Sequence, residues 1–172
     1  MLINASAETL DYTFFGALAY LFISTILLGC FRNTRVAGGP FNLKIKRQAR
    51  KRYLGVPLKR DKKIRRLRNR YIIFGCIAAF GFIAQICITS LGYPIESMML
   101  ASITFLLRCY ANQFIIEVRS YWKKHDLEIP GMSLIPGWAF KLRFVIILTS
   151  NFSELIMGIS YALYFMNYVL PN

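Results

Sequence analysis

The sequence predicts an all-α integral membrane protein, a four-helix bundle with a long basic loop between its first and second helices. Three observations carry this reading. Of 172 residues, 56% are hydrophobic and only 17% charged, and the mean hydropathy is +0.43, unlike an ordinary soluble domain. Four apolar runs, at about residues 12–30, 71–91, 98–116 and 144–169, approach or exceed the roughly 20 residues that cross about 30 Å of hydrocarbon. Finally, 16 of the 22 Lys and Arg residues fall between Arg32 and Arg70, where Asp61 is the lone acid. That stretch carries a net charge of +15 and the rest of the chain is close to neutral. A basic block between membrane-length apolar runs marks a loop held on the positive side of a bilayer.

The first run is preceded by Glu8 and Asp11 rather than by basic residues, and no small-x-small cleavage site follows it. It is therefore read as a retained span and not a signal peptide. Asn4-Ala-Ser6 fits a glycosylation acceptor, but it lies so close to the first span that it is expected to stay unused. Gly38-Gly39-Pro40 breaks any continuation of the first helix. Within the basic loop, residues 31–70, Lys44–Tyr53 reads as a helical segment. Gly55 and Pro57 both oppose helix, so Tyr53–Pro57 reads as a turn. From Lys59 the basic pattern runs without a breaker into Tyr71, which predicts a second span projecting from the membrane as one helix.

Residues 92–97 join the second and third spans and are too few for anything but a tight hairpin. Glu117–Arg143 reads as a second loop, with Pro130 and Pro136, and it holds every remaining basic residue except Arg108. Both basic loops then lie on the cytoplasmic or matrix side. The acidic N-terminus, the 92–97 hairpin, which carries no Lys or Arg, and the uncharged C-terminus face the outer or luminal side. The whole chain, residues 1–172, reads as a single membrane domain without internal repeats.

Two charges fall inside spans. Arg108 is placed at the middle of the third and Glu154 near the middle of the fourth. A lone charge at that depth costs several kcal/mol, on the order of 3 on insertion scales, so such residues face the bundle interior and pair. Thr104, Arg108 and Asn112 share one helical face, and Asn151, Glu154, Gly158 and Tyr161 form a matching polar stripe. An Arg108–Glu154 pair flanked by Asn112 and Asn151 is the expected intramembrane polar site, read either as a lock between helices or as a relay or ligand site. Gln85, Ser24 and Thr25 are expected to hydrogen-bond between helices, and Gly75-x-x-x-Ala79 to allow close helix approach.

Catalytic signals are sparse. Cys30, Cys76, Cys87 and Cys109 lie within or at the ends of apolar spans without a C-x-x-C pair, so no metal or other cofactor is expected. His125 is the only histidine and sits in a polar run, Lys123-Lys-His-Asp126. The basic loop invites a docking role instead. Lys44, Lys46, Arg47, Arg50, Lys51, Arg52, Lys59, Arg60, Lys62, Lys63, Arg65 and Arg66 exceed what orientation needs. They suit anionic lipid headgroups, or an acidic protein or RNA surface, by charge alone.

Four spans, an N-terminus opposite a basic first loop, Arg108-Cys-Tyr110 on the third helix and Arg66-Leu-Arg-Asn69 before the second make the chain resemble the small membrane-bound glutathione transferases and eicosanoid synthases. The glutamates that this family carries around that Asn, and its proline-containing continuation, have no counterpart here. The resemblance implies an enzyme using Arg108 and Tyr110 at a thiol site. Three functional readings follow. The leading one is a non-catalytic structural or assembly subunit among other membrane subunits. The alternatives are a transferase of that kind and a small channel or transporter using Arg108 and Glu154.

Overall fold

The computed structural model describes residues 5–30, 34–36, 43–125 and 132–170. The predicted break at Gly38-Gly39-Pro40, Asn4 of the glycosylation acceptor and Pro130 lie outside them. The elements are α1 (Ala7–Cys30), β1 (Thr34–Val36), α2 (Leu43–Arg60), α3 (Lys62–Ser90), α4 (Pro94–Ala111), α5 (Gln113–Lys124), β2 (Met132–Leu134) and α6 (Gly137–Tyr164). A five-residue π-helical turn, Phe165–Val169, extends α6. The strands pair antiparallel, with Arg35 opposite Ser133.

Four helical stretches, Ala7–Gly29, Lys62–Ser90, Pro94–Lys124 and Gly137–Val169, are long and apolar enough to cross a membrane. The chain is a multi-pass integral membrane protein, essentially all-helical. Its large apolar side chains point outward along every one of these helices, among them Phe22, Phe80 and Leu106. In water such a surface would be a liability, but in hydrocarbon it is the solvated face. The helices pack in the row α1, α6, α4, α3, with only sparse contact between α3 and α6.

Hydrogen bonds between small polar residues hold this row, as expected where lipid removes the hydrophobic drive between helices. Tyr20 and Thr149 share a 2.6 Å bond between α1 and α6, Ser24 donates to Ser150 at 3.1 Å, and Arg143 Nη1 donates to the Leu28 carbonyl. Between α3 and α4, Thr89 Oγ1 donates to Ser97 Oγ at 2.6 Å and Ser97 donates to the Gln85 carbonyl, all of it buried. Among the described residues, Thr25 bonds within its own helix, to the Leu21 carbonyl.

Close approach comes from residues other than the expected pair. Gly75 and Ala79 are exposed, and a β-carbon on Gly75 would touch nothing. Buried Ala78 and Gly81 face Ser97, Ala101 and Thr104 instead, and a β-carbon on Gly81 would stand 2.5 Å from Thr104 Cγ2. The turn between α3 and α4 is tighter than predicted. Gly92 takes φ 90°, a conformation suited to glycine, and Pro94 already opens α4.

The basic stretch is not a long loop over its described part. Leu43–Arg60 is helical through Gly55 and Pro57, where a turn was predicted, and α3 begins at Lys62. Asp61, the one acid of the stretch, is the break between them. Its carboxylate accepts from the backbone N–H groups of Lys63, at 2.7 Å, and Ile64, capping α3. Much of the predicted loop Glu117–Arg143 is helical too, because α4 passes through a tightened turn at Asn112 into α5.

Candidate functional site

Two places gather the residues singled out in the sequence. The first is a platform at one end of the bundle, where α2, the start of α3 and α5 share a hydrophobic core. Ala49, Tyr53, Ile64, Leu67, Phe114, Val118, Tyr121, Trp122 and Met132 are buried together there. On α3 the buried pair Ile64 and Leu67 lies three residues apart and so on one face, leaving the basic residues outside. Pro57 explains how α2 survives its proline. Lacking an N–H, Pro57 cannot donate to the carbonyl of Tyr53 four residues earlier. Trp122 Nε1 donates to that carbonyl at 2.9 Å, and its ring stacks on Tyr53 with centroids 6.1 Å apart. One tryptophan thus satisfies the orphan acceptor and pins α2 to α5.

Every described basic side chain of α2 and of the start of α3 is exposed: Arg47, Arg50, Lys51, Arg52, Lys59, Arg60, Lys62, Lys63, Arg65, Arg66, Arg68 and Arg70. The side chains of Lys44 and Lys46 lie outside the described set, although their backbone belongs to α2. Lys63 pairs with Glu117 at 2.6 Å and Arg70 Nη1 donates to Tyr110 Oη at 2.8 Å. Behind this face, Arg119 is buried, donates to the Ile135 carbonyl and lies over the Phe140 ring at 4.3 Å. It braces α5 against the approach to α6.

Burial pushes the Tyr53 hydroxyl from 10.0 up to about 12, against the opposing pull of Arg119 and Arg143. An unfolded tyrosine loses its proton near pH 10 while the folded one keeps it to about pH 12. In that window the folded state binds more protons, so stability is full below pH 10 and falls as pH rises, by about 1.4 kcal/mol per pH unit. Thermal unfolding in detergent between pH 9 and 12 should therefore lose about one proton's worth of slope in Tyr53→Phe. Parallel curves for the two proteins would refute the assignment to Tyr53.

The second place lies within the spans. Arg108 of α4 and Glu154 of α6 form an ion pair, each side chain about one quarter exposed. Arg108 sits 14 residues into α4, about 21 Å along it, close to the middle of the apolar stretch Pro94–Lys124. Asn112 and Asn151 are both buried; Asn112 Nδ2 has no hydrogen-bond partner, and the Asn151 side chain lies against the Cys109 thiol. Asn112 stands at the junction of α4 and α5, one turn beyond Arg108. A small cavity is lined by Gln85, Thr104, Asn151 and Glu154. Chemically this is a neutralised pair holding α4 to α6, with unused amide donors around it.

The residues implied by the transferase resemblance do not converge within one chain. Arg108 turns to Glu154 on α6, whereas Tyr110, two residues on and so nearly opposite on the helix, turns to Arg70 on α3. Arg66 and Asn69 are exposed, and Asn69 accepts from Arg68. His125 is exposed and stacks on Tyr121. Among the described residues there is no cluster of His, Cys, Asp or Glu able to hold a metal ion.

Comparison of the chain with family models, with curated proteins and with solved structures gives no match. Function is therefore read from geometry alone. Sequence reasoning did not single out Trp122, nor Gly81 and Gly158 as close-contact positions. Ser97-x-x-x-Ala101-x-x-Thr104, a run of small residues on one face of α4, is the signal that could have located the α3 contact.

Proposed function

We propose that this chain is a non-catalytic subunit of a membrane assembly, and that its platform docks on an anionic surface, lipid headgroups in the first place. One observation carries the reading: twelve basic side chains stay exposed on helices whose apolar residues are turned into a shared core. Orientation of the chain would be served by flexible charges near the spans, whereas a packed platform holds them in fixed register. By the bias of Lys and Arg, the platform belongs on the cytoplasmic or matrix side and both termini on the other. Other membrane subunits would cover part of the outward apolar surface, and Arg108–Glu154 locks α4 to α6.

The test replaces Lys44, Lys46, Arg47, Arg50, Lys51 and Arg52 with Gln and leaves Lys59–Arg70 next to the span. Each basic residue near an anionic surface contributes about 1 kcal/mol, so six removed should weaken capture of zwitterionic nanodiscs on anionic liposomes by at least about tenfold at low salt. The parent's binding should decline with added salt and the variant's should decline less steeply. Equal capture of both at every salt concentration would leave the charges with orientation as their sole role.

A further inference from the structure

We infer that the groove between α1 and α3, floored by α6, binds one membrane lipid, with the Gln85 side chain donating to an ester carbonyl and the apolar walls taking the acyl chain. The groove holds about 150 Å³ of free volume, open toward the surrounding hydrocarbon, and is lined by Phe14, Phe82, Ile86, Met157, Gly158 and Tyr161 beside Gln85. Every wall but Gln85, and the Tyr161 hydroxyl at its edge, is apolar. It lies within the spans and is open at Ile86, which is 44% exposed, so its neighbours are hydrocarbon chains.

Gln85 gives the site its polarity. It is 3% exposed, and its Nε2 has no hydrogen-bond partner. Gly158, in the groove floor, is where that amide points, since Nε2 is the first atom a β-carbon on Gly158 would meet. A buried N–H donor without an acceptor gains a hydrogen bond from an incoming oxygen. Gln85 is five residues from the end of α3, about 8 Å along the helix from the 91–93 turn. Lipid ester carbonyls lie at the edge of the hydrocarbon layer, within a turn or two of such a helix end. Water is scarce at this depth, and an acyl ester brings both the acceptor and the chain. The lipid would sit at the end of the bundle away from the platform, and the headgroup charge should not matter.

The test uses the whole protein, delipidated in mild detergent and supplied with diacyl phosphatidylcholine or its diether analogue, which lacks the carbonyls. Native mass spectrometry should show one retained lipid, with the diester favoured over the diether roughly threefold to tenfold, the weight of one neutral hydrogen bond. Gln85→Leu should abolish that preference, and Ile86→Trp should reduce retention of both lipids by filling the mouth. Salt-dependent capture on anionic liposomes should stay unchanged in both variants, which separates this site from the platform. Equal retention of diester and diether by the parent protein overturns the proposal without relying on any variant. A dimer that Ile86→Trp dissociates would assign the groove to a second copy and overturn it equally.

Discussion

Arg108→Ala is expected to destabilise the protein by on the order of 3 kcal/mol, the cost of leaving one member of an intramembrane ion pair uncompensated. The substitution strands Glu154 on α6, within a span, beside a cavity whose amides supply donors but no positive charge. Glu154→Ala should cost less, because the long Arg108 side chain can carry its charge along the helix toward the platform end. Exchanging the charges, Arg108→Glu with Glu154→Arg, should recover part of the loss through the restored attraction. The measurement is thermal unfolding in detergent together with folded yield from membranes. Single variants that match the parent in both would show that the contact contributes nothing to stability. A swap no better than the worse single variant would show that its geometry, rather than its charge, is what counts.

Trp122→Ala should cost about 3–5 kcal/mol, as large buried aromatics do, and should loosen the platform while leaving the spans intact. The cost has two parts that can be separated. Trp122→Phe keeps most of the apolar bulk but leaves the Tyr53 carbonyl without a donor, a loss of about 1–3 kcal/mol. Adding Pro57→Ala gives α2 back the backbone N–H that can reach that carbonyl. The double variant should therefore be more stable than Trp122→Phe alone, even though Pro57→Ala in the parent background gains nothing from this bond. Limited proteolysis between α2 and α3, at the basic residues around Asp61, provides the readout. Cleavage there should speed up in Trp122→Phe and slow again in the double variant. No recovery on adding Pro57→Ala would mean that the indole bond does not substitute for the missing helical one.

Composition and local pattern determined a good deal by themselves. Hydrocarbon solvates apolar side chains and excludes unpaired backbone, so four long apolar runs had to be spanning helices whatever their neighbours. The same reasoning made Arg108 and Glu154 seek each other, since no other described side chains at that depth carry opposite charges. What local pattern misjudged was the basic stretch. Pro57 and Gly55 read as a turn because helix propensity is counted within one segment, and the donor that rescues the helix sits 69 residues away on Trp122. Charge density likewise suggested a solvated loop, although Ala49, Tyr53, Ile64 and Leu67 lay among the basic residues at helical spacing. Only packing against α5 turned that spacing into a platform. The close α3–α4 contact through Gly81 and Thr104 was also a tertiary decision. Gly75-x-x-x-Ala79 is as permissive of close approach, but it faces lipid, and sequence alone cannot say which face of an all-apolar helix meets a neighbour.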